Sequence, residues 1–83
     1  LFMGSIDLSI EIPEGHAAYG NAGDFEVHFS RILQARRCFL MSYVPNLRGN
    51  QVVLHRINDE KKADAVREIA SELGVEVREC ISD

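Results

Sequence analysis

Eighty-three residues, 46% hydrophobic and 27% charged, suffice for one small domain with a single core. Thirteen acidic against nine basic residues give a net charge of -4, which speaks against nucleic acid as a partner, because that affinity comes largely from cations on phosphates. No stretch approaches the run of about 18 apolar residues that a membrane span needs. The two cysteines are isolated, too few for a disulfide scaffold and without zinc-ligand spacing, so the expectation is a cytoplasmic protein with reduced thiols.

Residues 1–4 are set aside as terminal residues, Met3 being a candidate start, and 5–83 are taken as one domain. From Ser5 to Ile12, Ile6, Leu8, Ile10 and Ile12 alternate with Asp7, Ser9 and Glu11, the period of a strand with one buried and one wet face. Pro13 stops it by withholding a ladder donor. Pro13 to Gly23 is irregular. Asp24 is read as the N-cap of a helix reaching about Arg37, with Phe25, His28, Phe29, Ile32 and Leu33 on its apolar stripe.

Cys38 to Ile57 reads as a hairpin of two β-rich runs around Asn46, Gly49 and Asn50. Its first arm is apolar on both parities, which leaves open whether Phe39, Met41 and Tyr43 or Leu40 and Val44 point inward. Asn58 or Asp59 caps a second helix with Ala63, Val66, Ile69, Ala70 and Leu73 on its apolar face, and Gly74 stops it. Val75 to Ile81 is a last strand, with Val75, Val77 and Ile81 inward, Glu76, Arg78 and Cys80 outward, and Glu79 out of pattern.

The order β-α-β-β-α-β, with right-handed crossovers, predicts an α+β ferredoxin-like sandwich. Its antiparallel sheet has strand order 4-1-3-2, with both helices on one face. That architecture hosts many functions, so function must come from sites.

The open sheet face should carry Asp7, Ser9 and Glu11 from the first strand and Glu76, Arg78 and Cys80 from the last, with Val53 and His55 from the hairpin. The apolar arm at its edge invites a partner, so Phe39, Met41, Tyr43 and His55 are the candidate interface of a homodimer or a complex with another protein. An RNA-binding sheet would need aromatics on its central strands, and these have none.

The 13–24 loop is the alternative site. It leads into a helix N-terminus, which suits an anionic metabolite, and offers His16, Tyr19, Gly20, Asn21 and Gly23. Its glycine spacing matches no phosphate-binding motif. His16, His28 and His55 lack metal-ligand spacing, so no metal or cofactor is expected. A second alternative is a small dimeric enzyme with its cleft on the open face, although no nucleophile–base motif marks one. The leading expectation is a non-enzymatic interaction or oligomerisation module.

Overall fold

The structure is a computed structural model and describes residues 4–40 and 42–81. Its elements are β1 (Ile6–Glu11), α1 (Ala22–Ala35), β2 (Ser42–Asn46), β3 (Gln51–Ile57), α2 (Glu60–Leu73) and β4 (Glu76–Ile81). The sheet is antiparallel throughout with order β2-β3-β1-β4, which is the expected order read from the other edge.

The alternation of β1 does what its sequence dictates. Leu8 and Ile10 are fully buried and join Val52 and Leu54 of β3 in one core with Phe29 and Leu33 of α1 and Val66 and Ile69 of α2. Each such side chain stabilises the fold by about 1.5–3 kcal/mol relative to exposure.

α2 is closed at both ends by its own residues. The Asp59 carboxylate accepts a hydrogen bond from the Lys61 N–H at 2.8 Å. Gly74 adopts φ 75°, its N–H bonded to the Ser71 carbonyl at 3.2 Å and that of Val75 to Ala70 at 3.0 Å, which is a Schellman turn.

α1 differs from expectation at both ends. It begins at Ala22, with Asp24 in its first turn and Asn21 at the cap position making no side-chain cap bond. Gly23 lies inside the helix beside Leu47, whose Cδ2 would stand at contact distance, 3.4 Å, from an added Cβ. At the far end Arg37 takes φ 60° in a second Schellman turn, with Arg37 N–H on Gln34 at 3.0 Å and Cys38 N–H on Leu33 at 2.8 Å.

This turn resolves part of the apolar excess in the hairpin arm. Cys38 is buried as the residue that closes the helix, not as a strand residue, and β2 starts only at Ser42. Leu40 packs against the core from the intervening segment. Met41 lies outside the described residues.

Tyr43 settles the parity of β2. It is half-buried against the core and its hydroxyl bonds to Ser30 of α1, burial pushing its pKa up. Val44 therefore points to the other side, where it is exposed.

Candidate functional site

The sheet face away from the helices is built of cross-strand rows. Ser42 opposes His55, and Asp7 opposes Cys80. Val44 opposes Val53, which opposes Ser9, which opposes Arg78. Asn46, Gln51, Glu11 and Glu76 complete the next row. Residues directly opposite on an antiparallel sheet have Cβ atoms about 4.5–5.5 Å apart, so each row is a chain of neighbours.

A β-bulge shapes the first row. The β1–β3 register shifts between Ile6 and Leu8, so that Asp7 alone faces both His55 and Arg56, and Arg56 takes φ 57°. The Asp7 carboxylate spans the bulge: Oδ1 accepts from the Arg56 N–H and Oδ2 meets His55 Nδ1, each at 3.0 Å. With Asp7 ionised, Nδ1 carries the imidazole proton and Nε2 is left as an acceptor.

Glu11 organises the other polar cluster. Gln51 donates to it at 2.7 Å and Arg78 at 3.1 Å, and the Ser9 hydroxyl also donates to it. Burial pushes the Glu11 carboxyl up, but the bonds from Ser9 and Gln51 and the Arg78 charge outweigh it and hold the group below its ordinary value. The β3 alternation QVVLHRI aligns Gln51 with Val53 and His55, so this partner of Glu11 is readable from periodicity.

The proposed interface residues do not share one face. His55 lies on the open face and Tyr43 faces α1. Phe39 is 59% exposed in the segment before β2, and the exposed apolar residues of the hairpin also include Val44 at 48% and Leu47 at 62%.

The 13–24 loop is tied down by its own polar groups. His16 uses both ring nitrogens: Nδ1 accepts from the Ala18 N–H at 3.0 Å, so Nε2 carries the proton and donates to the Leu73 carbonyl at 2.6 Å. Gly20 N–H donates to the Asn50 side chain, and the Ile12 N–H reaches the Asn50 carbonyl at 2.9 Å, so the loop is docked on the β2–β3 turn.

Beside this loop runs a groove of about 450 Å³ lined by His16, Asn21, Asp24, Phe25, His28 and Leu73 among others. Of the loop residues singled out in the sequence, His16 and Asn21 line it; Tyr19, Gly20 and Gly23 do not. The groove-lining roles of Phe25 and Leu73 were hidden because both read as ordinary stripe residues.

Among the described residues, no three of His, Cys, Asp and Glu converge on a metal-sized site, and no helix is long and apolar enough to cross a membrane. Cys38 and Cys80 are free thiols, and burial pushes the Cys38 thiol up, which makes it a poor nucleophile. Comparison with protein-family models, curated proteins and solved structures finds no match.

Proposed function

We propose that the chain is a non-enzymatic cytoplasmic module of the ferredoxin-like type that associates with a second copy through the outer side of its hairpin and the open sheet face. One observation carries this reading: Val44 is exposed beside Val53 on a face that neither helix covers, and Phe39 is exposed in the segment that leads into the same strand. The neighbouring polar groups suit contact with protein because they are already partnered within the face, Asp7 with His55 by a hydrogen bond and Glu11 with Arg78 by an ion pair. Matched pairs lose less on desolvation than lone charges would.

Light scattering at micromolar concentration tests it. Val44→Asp or Phe39→Asp should lower the mass of the species while circular dichroism stays unchanged. A mass indifferent to both substitutions overturns the reading.

A second reading rests on the groove beside the 13–24 loop, whose volume lies in the range typical of small-ligand sites, about 300–1,000 Å³. It takes a small metabolite with its anionic end at the α1 N-terminus, and Asp24 limits how much negative charge that end tolerates. A metabolite screen by thermal shift would support it if a hit were abolished by His28→Ala, since a ligand selective for the folded state raises stability.

A further inference from the structure

β4 is an outer strand, hydrogen-bonded to β1 alone, so half of its backbone N–H and C=O groups face outward. The opposite outer strand β2 carries Pro45, which has no N–H to give an added strand. β4, EVRECI, has no proline.

Its charges are arranged unusually. Glu76 lies directly opposite Glu11 on β1, like charge against like, while Arg78 bonds to Glu11. Among the described residues no cation pairs with Glu76.

We propose that β4 pairs antiparallel with β4 of a second copy, in the register centred on Val77. In such a two-fold pair, directly opposed residues lie on the same sheet face, and the centre of the register is opposed to itself. Centring on Glu76, Arg78 or Glu79 sets like charges face to face, which destabilises. Centring on Cys80 or Ile81 gives neither Glu76 nor Arg78 an opposite charge within the strand, whereas centring on Val77 gives one to both.

Only Val77 remains. There Val77 meets Val77 on the helix side. On the open side Glu76 of each copy lies opposite Arg78 of the other, and Arg78 then bridges its own Glu11 and the unpaired Glu76.

The product is a continuous eight-stranded sheet with the two open faces joined into one platform. It does not depend on the reading of the hairpin surface, because it uses the far edge of the sheet.

The test uses the full chain at physiological ionic strength, where long-range repulsion between acidic copies is screened. In a Cys80→Ser background, Val77→Cys should form an intermolecular disulfide under mild oxidation. Opposed Cα atoms are about 4.5–5.5 Å apart in an antiparallel pair, within disulfide reach. Wild-type Cys80 should not crosslink, since the register puts it opposite Gly74.

Independently, Glu76→Arg and Arg78→Glu should each weaken the pair roughly tenfold or more in sedimentation equilibrium, and the double exchange E76R/R78E should restore it. A chain in which wild-type Cys80 crosslinks as readily as V77C, or in which the double exchange stays as weak as the singles, overturns the proposal. Val44→Asp and Phe39→Asp should leave the V77C crosslink intact, so failure here and failure of the hairpin surface read out separately.

Discussion

The two helices end alike and are held differently. Both finish in Schellman turns closed by a buried residue, Cys38 after α1 and Val75 after α2. Yet α2 puts glycine in the left-handed position and α1 puts Arg37 there, where a side chain costs roughly 1–2 kcal/mol. At their starts, Asp59 caps α2 with its side chain while Asn21 does not cap α1. α1 has the larger buried side chains in compensation, with Phe25, Phe29 and Leu33 against the Ala63, Val66, Ile69 and Ala70 of α2. The contrast teaches that α2 is specified locally and α1 by what it packs against.

Replacement of the packing residues should split the helices most. Phe29→Ala should cost about 3–5 kcal/mol in urea unfolding, and Val66→Ala about 2 kcal/mol. Equal losses would erase the contrast.

The C-terminal turns should respond with opposite sign. Gly74→Ala should destabilise by about 1 kcal/mol, whereas Arg37→Gly should stabilise by roughly 0.5–1 kcal/mol, because only the second relieves a side chain in the left-handed region. If Arg37→Gly lowered the melting temperature, Arg37 would have to be making a contact that offsets its strain.

The caps should differ least. Asp59→Ala should lose about 1 kcal/mol, while Asn21→Ala should stay within about 0.5 kcal/mol of wild type. Thermal melts of the two variants measure that gap directly.

The same contrast explains what could be read in the sequence. The ends of α2 were legible because Asp59 and Gly74 act on their own neighbours. The start of α1 was misplaced at Asp24 because the determinants, Leu47 packed on Gly23 and Asn50 bonded to the preceding loop, come from a distant hairpin. The order of the strands followed from chain order and handedness. The inward parity of Tyr43 could not follow, since both faces of its arm are apolar and the choice is made by Ser30 on another element.

The tie made by His16 was hidden for the same reason: it lines the groove, but the Leu73 carbonyl to which it donates stands 57 residues away. The open face fared better, because alternation alone places Asp7, Glu11, Arg78 and His55 together, though not the bulge that joins Asp7 to His55.

That bulge bears on how the chain tolerates loss. Leu54 and Ile57 both point inward although three positions separate them, because one extra residue is accommodated between. A chain shortened by Arg56 would still set Ile57 opposite Ile6, keep α2 in place and shed a left-handed side chain. It should fold with a similar melting temperature, and what it would lose is the N–H that Asp7 receives. Arg56 is thus a position the core can spare.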